Sequence, residues 1–272
     1  MSTAEKEKPI GVFDSGVGGL TALKKIVEFL PNENVIYFGD TARVPYGGKS
    51  NETIIRYTLQ IANFLISQNV KMIVAACNTA SSIALDELKK RYYVPILGVI
   101  EPGVKAALRK AKSDKIGIIG TLSTINNRAY SKALLDKKES LVIYEKACPL
   151  FVPLVEEGWI DNEIAYMAAV EYLKDFKGLG IDSLILGCTH YPLLKKTIRK
   201  AIGENVELID TSEEIALSVK EELYANNFQN ESNKKGQVRF YVSDIPQRFL
   251  EIAKLFFGND IVNVEKVDIE NF

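Results

Sequence analysis

The chain has three cysteines, one histidine and one tryptophan among 272 residues. Cys77, Cys148 and Cys188 are too few and too scattered for a disulfide framework, and a reducing compartment keeps them as thiols. No CxxC or HxxxH pair occurs. That leaves zinc poorly supported, because its soft ligands would have to be Cys77, Cys148, Cys188 and His190, and it leaves a thioredoxin-like redox pair poorly supported as well. No apolar run approaches the length of a membrane span, and the opening MSTAEKEKP lacks the apolar core of a secretory signal, so a cytoplasmic protein without a membrane partner is expected. Neither sign of charge is in excess, with 34 Lys and Arg against 35 Asp and Glu, so no nucleic acid is expected as partner. Nucleotide motifs are missing too. Gly16, Gly18 and Gly19 fail the GxGxxG register, and YGGKS has Arg43 where the first glycine of a phosphate loop should stand. Lys49 lacks the apolar surroundings of a Schiff-base lysine.

What is present is an α/β pattern. Short β-branched apolar runs recur: IGVF at 10, VIYF at 35, MIVA at 72, PILGVI at 95, IGIIG at 116, LVIY at 141, SLILG at 183, VELID at 206 and VRFYV at 238. Segments of helical spacing lie between them, such as Ile54, Ile55, Ile61, Ala62 and Leu65 behind the N-cap candidate Ser50. Continuous rather than alternating apolar runs predict parallel strands covered on both faces. A faint internal repeat aligns IGVFDSGVGGLT with IGIIGTLSTINN, and MIVAACNTASS with LILGCTHYPLL. The two offsets, each just over a hundred residues, agree within a few residues and pair Cys77 with Cys188, so two similar halves that face each other are expected.

The loops after the strands are rich in small, hydroxyl and amide groups: DSGVGG, GDTARVPYGGKS, ACNTASS, EPG, GTLST and GCTHYP. In parallel sheets ligands bind beyond the carboxyl ends of the strands, where helix starts aim backbone donors, so these loops are expected to line one cleft. Cys77 fits a small buried hydrophobe and a reactive thiol equally well; a strand end beside a helix start is expected to lower its pKa. Cys188 has the same setting, with Pro192 suited to a first helical turn and His190 two residues away as a proton partner or orienter. Asp14, at the end of an apolar strand, needs a partner and is a candidate acid or base. Glu156 could orient an imidazole or be a solvated charge like Glu157. Two thiols facing one substrate carbon could remove a proton from one side and return one to the other, inverting a stereocentre.

Five stretches, GVFDSGVGGLT, PYGGKS, AACNTASS, CPLFVPLVEEG and LGCTHYPLL, resemble in order and spacing the cofactor-independent glutamate racemases of the aspartate/glutamate racemase family. The likeness runs from about Ile10 to about Gly258, and CNTA paired with GCTHYP is its most diagnostic part. The resemblance implies interconversion of L- and D-glutamate by two cysteines, without metal or cofactor, to supply D-glutamate for peptidoglycan. It implies Cys77 on the D-isomer face assisted by Asp14, and Cys188 on the L-isomer face assisted by His190 with Glu156. It implies substrate contacts from Asp14, Ser15, Tyr46, Gly47, Asn78, Thr79, Thr189 and His190. It further implies two α/β domains with the active site in the cleft between them, 1–98 plus 211–272 and 99–210, and a homodimer. Cys148 receives no role and is taken as structural. A racemase of aspartate or another small carboxylate, and an amino-acid-binding protein that retains the fold, are the alternative readings.

Overall fold

A computed structural model describes residues 3–258 and 263–272; the outermost two residues of the first expected domain and 259–262 of its returning segment lie outside the described residues. Each apolar run forms a strand: β1 (Ile10–Asp14), β2 (Val35–Gly39), β3 (Met72–Ala75), β4 (Ile96–Gly98), β5 (Lys115–Gly120), β6 (Val142–Ala147), β7 (Ser183–Gly187), β8 (Glu207–Asp210) and β9 (Val238–Val242). A tenth, β10 (Val264–Lys266), has no counterpart among those runs; it has three residues, two of them exposed. One sheet has the order β10-β9-β2-β1-β3-β4 and the other β6-β5-β7-β8, and every pairing is parallel. The chain is therefore α/β with two parallel sheets, as its strand patterning predicts. β1, β2, β3 and β7 are buried at every position, which is what helices on both faces of a sheet require.

The two sheets repeat one topology. Stripped of β9 and β10, the first reads β2-β1-β3-β4 and the second β6-β5-β7-β8, the same order shifted by four strands. Cys77 thus follows the third strand of one sheet and Cys188 the third strand of the other. Helix Thr211–Ala225 joins them, packing both on helix Leu20–Phe29 beside the first sheet and on helix Ile100–Lys110 beside the second. Ser50 caps helix Asn51–Ser67 as expected, its hydroxyl accepting from the Thr53 N–H at 3.3 Å, and Ile54, Ile61, Ala62 and Leu65 face the core while Ile55 is half-buried.

One buried ion pair fastens the returning chain to the first sheet. Lys71 Nζ lies 2.5 Å from Glu33 Oε2, with side chains only 1 % and 3 % exposed, and also donates to the carbonyls of Lys6 and Phe228. The second oxygen of Glu33 accepts from the Asn230 N–H at 2.7 Å. Removing one member of such a pair leaves an uncompensated buried charge. Lys71→Ala is expected to lower the unfolding free energy by about 3–5 kcal/mol, measured by urea denaturation, while a joint Lys71→Met, Glu33→Leu replacement loses less.

Candidate active site

Both sheets present the carboxyl ends of their strands to one seam. Asp14 closes β1, Cys77 follows β3, Thr121 follows β5 and Cys188 follows β7. A cavity of about 20 Å³ opens there, room for about one water molecule. Its walls include Ser15, Tyr46, Gly47, Cys77, Asn78, Thr79, Cys188, Thr189 and His190, nine of the residues singled out in the sequence. Asp14 and Glu156 stand one layer behind. Asp14 Oδ1 accepts from the Thr189 hydroxyl at 3.3 Å, and Glu156 Oε1 lies 3.2 Å from His190 Nε2. Across the mouth, the Ser123 hydroxyl donates to the Gly47 carbonyl at 2.8 Å and the Asn127 amide donates to the Ser82 carbonyl.

The sequence reading left four wall residues unmarked: Val44, Pro45, Thr121 and Val152. Thr121 belongs to the strand-end loop GTLST, and that position was its signal. Its hydroxyl caps helix Leu122–Asn127 and forms a triangle with those of Thr79, at 2.9 Å, and Thr124, at 3.0 Å, with 3.2 Å between Thr79 and Thr124. These three hydroxyls come from both halves and can turn their protons toward an anionic acceptor. Asn78 Oδ1 accepts from the Tyr130 hydroxyl at 2.5 Å, while buried Asn78 Nδ2 has no partner among the described residues and is a donor held in reserve.

The wall carrying Tyr46 and Gly47 is braced by a carboxylate of its own loop, GDTARVPYGGKS. Asp40 is wholly buried. It accepts from Arg43 Nε at 2.8 Å, from the Ser243 hydroxyl at 2.8 Å and from the Tyr46 hydroxyl. Arg43 in turn reaches Glu270 near the end of the chain at 3.2 Å.

The two thiols have unlike surroundings. Cys77 caps helix Asn78–Ile83, its sulfur accepting from the Ala80 N–H at 3.5 Å. Burial and then the charge of Asp14 nevertheless push its pKa up to about 12, against the opposing help of the Ala80 N–H and the Ser15 hydroxyl. The lowered pKa expected from a helix start is thus reversed at Cys77, because desolvation of a thiolate beside a carboxylate outweighs one short helix. Cys188 Sγ is instead 3.8 Å from His190 Nδ1. Burial alone would lower the pKa of that imidazole. Its contacts with Cys188 and Glu156, with the charge of Asp14, overcome burial and raise it to about 10. Asp14 is itself raised, by burial first, against the pull of His190, the Gly16 and Gly19 N–H groups and Thr189.

Close approach of the two halves requires a glycine. A Cβ built on Gly18 would collide with the Thr189 hydroxyl and come within 2.7 Å of His190 Nδ1. Among the described residues no three His, Cys, Asp or Glu side chains are grouped to hold a metal ion, and no helix is long and apolar enough to cross a membrane.

Known proteins match this arrangement over nearly its whole length. Residues 10–218 match the family described as Asp/Glu/Hydantoin racemase. The chain is 48 % identical to the glutamate racemase of Geobacter metallireducens over 263 residues, 97 % of each chain. It is 52 % identical to that of Aquifex aeolicus over 252 residues, covering 93 % of this chain and 95 % of the relative. Among solved structures, the glutamate racemase of Francisella tularensis in complex with D-glutamate superposes with a TM-score of 0.93 at 41 % identity, covering 98 % of this chain and 100 % of that one.

The raised pKa of His190 has a consequence for stability. A group that binds its proton more tightly folded than unfolded contributes stability that is complete below its unfolded pKa, about 6.5, and fades as pH rises through its folded value. The difference in unfolding free energy between the protein and a His190→Asn variant is therefore expected to shrink between pH 6.5 and about 10, measured by urea denaturation across that range.

Proposed function

The chain belongs to the Asp/Glu/Hydantoin racemase family and is an isomerase, and on that premise we propose that it interconverts L- and D-glutamate by a two-cysteine proton transfer. The observation that carries this reading is the placing of Cys77 and Cys188 at equivalent strand ends of two repeated sheets, on the wall of one cavity. On the L-isomer, Cys188 takes the α-proton from one face and Cys77 gives a proton to the other; on the D-isomer the roles reverse. The α-proton of an amino acid is a very weak acid, so the developing carbanion must be met by donors fixed in advance. The helix starts at Asn78 and Leu122, the Asn78 amide and the Thr79, Thr121 and Thr124 hydroxyls supply such donors. They also suit the two carboxylates of glutamate. Closure against water strengthens each of these interactions.

Each base has its own assistant. Asp14 stands beside Cys77, and His190 beside Cys188 with Glu156 orienting the ring. Ser15, Tyr46, Gly47 and Thr189 complete the substrate contacts. With Cys77 holding its proton, the site is set to donate from the Cys77 side, which is the state that accepts L-glutamate. Enantiomers have equal free energies, so kcat/KM must be the same in both directions, although kcat and KM individually need not be. No cofactor enters this scheme, because the thiols handle the proton and the fixed donors stabilise the charge.

The same reading extends to the cell. D-Glutamate goes to peptidoglycan, the enzyme works in the cytoplasm as a homodimer, and its domains are 1–98 with 211–272, and 99–210. Racemisation followed by circular dichroism, with aspartate assayed in parallel, tests the activity. Cys77→Ser and Cys188→Ser are each expected to reduce glutamate racemisation by about 10²–10⁴-fold. Two serine variants that racemise at the unaltered rate would rule out the two-thiol scheme, and turnover of aspartate in place of glutamate would rule out the substrate.

A further inference from the structure

His190 meets Cys188 through one ring nitrogen and Glu156 through the other, so its state depends on how two separate segments are set against each other. Glu156 ends the short helix Phe151–Glu156, and that segment begins at Cys148, just after β6. The start of the segment is fixed by the residue next to His190. Tyr191 is wholly buried, and its hydroxyl donates to the Cys148 carbonyl at 2.8 Å. The Tyr191 N–H is spent on the Cys188 carbonyl at 3.1 Å, and the Cys148 N–H on the Gly120 carbonyl at 2.9 Å. Both ends of the contact are thus anchored to strands of the second sheet.

Aromatic packing stiffens the same joint. The Phe151 ring stands edge-on to Tyr191, with centroids 5.2 Å apart and planes at 88°, and edge-on to Tyr172 at 5.3 Å and 87°. Edge-to-face geometry is directional, so it resists sliding as well as separation. The Tyr172 hydroxyl accepts from the Leu150 N–H at 3.1 Å. Two neighbouring residues of the Cys188 turn, His190 and Tyr191, therefore hold the two ends of one segment, Glu156 and Cys148.

We propose that Tyr191 is a positioning residue: its hydrogen bond to the Cys148 carbonyl sets the register of the Cys148–Glu156 segment, and so holds Glu156 on His190 while His190 faces Cys188. This rests on the reading of His190 as the assistant of Cys188. It also gives Cys148 a function that needs no thiol chemistry, since its carbonyl is the acceptor. Among the groups facing the imidazole are Cys188 on its own turn, Glu156 on the packed helix and Asp14 at the end of β1, and Cys77 lines the same cavity. Loosening the segment withdraws Glu156 from that set and leaves the rest in place.

His190 is the only histidine in the chain, so its titration is a single NMR signal in protein labelled at histidine, readable whether or not the enzyme turns over. Tyr191→Phe keeps the ring and removes the hydroxyl. The variant is expected to lower the His190 midpoint toward that of Glu156→Gln, and to reduce kcat by about 10–100-fold, as loss of an outer hydrogen-bond partner does, with KM little changed. In the Glu156→Gln background the same change is expected to add almost nothing to either quantity, because the two variants break one linkage. Phe151→Leu, which relaxes the segment without touching the hydroxyl, is expected to shift the midpoint in the same direction and serves if Tyr191→Phe does not fold. A midpoint that stays put in the folded variant, or effects of Tyr191→Phe and Glu156→Gln that simply add, would make Tyr191 a packing residue and overturn the proposal. A midpoint that behaves as expected in a protein whose unaltered form does not racemise glutamate would instead count against the racemase reading.

Discussion

The seam between the two sheets is buried, and the electrostatics of the site depends on that burial. Asp14, Cys77, Thr189 and His190 are all buried there, in surroundings where a charge without a partner is costly and a charge with one is held firmly. Burial is what pushes the Cys77 thiol up to about 12, and partnership is what keeps the His190 proton in place against the same burial. Open the seam to water and both effects collapse toward ordinary values. The Cys77 side and the His190 side would then lose the contrast between them.

The fold delivers this seam by repetition. Two sheets with the same strand order each place a cysteine after their third strand, and the strands all run toward the shared cavity. A parallel sheet puts every helix start at its carboxyl edge, so the donors arrive on both walls together. Small residues let the walls meet. Gly18 lies against Thr189 and His190, and Gly47 against Thr121, where a side chain would collide. Hydrogen bonds from Ser123 and Asn127 then cross the rim.

Much of this was legible in the residues. Strands buried on both faces leave unbroken apolar runs, and each such run proved to be a strand; β10 escaped because three residues with two exposed leave no apolar trace. The internal repeat, faint as letters, reappears as identical strand order because topology tolerates substitutions that erase sequence likeness. The residues brought to the cavity were those with rare chemistry, the cysteines and the histidine, or with a place beside them. The hydroxyls of Thr121 and Thr124 were not marked, since threonine is common and only the meeting of the halves gives these two a partner in Thr79. Asp40 and Tyr191 act through contacts with residues far along the chain, Ser243 in one case and Cys148 in the other, and no spacing rule connects those. The direction of the Cys77 shift is illegible in sequence for a related reason: a helix start is visible there, whereas burial beside Asp14 is a property of the folded seam.

The most direct measurement of the central claim is the fate of the α-hydrogen when L-glutamate is racemised in deuterated water and the reaction is stopped early. Two thiols acting on opposite faces predict deuterium at Cα of the D-glutamate formed and protium still at Cα of the L-glutamate that remains. Protium carried over into D-glutamate, or deuterium appearing in L-glutamate as fast as in D-glutamate, would mean that one group serves both faces and would contradict the account.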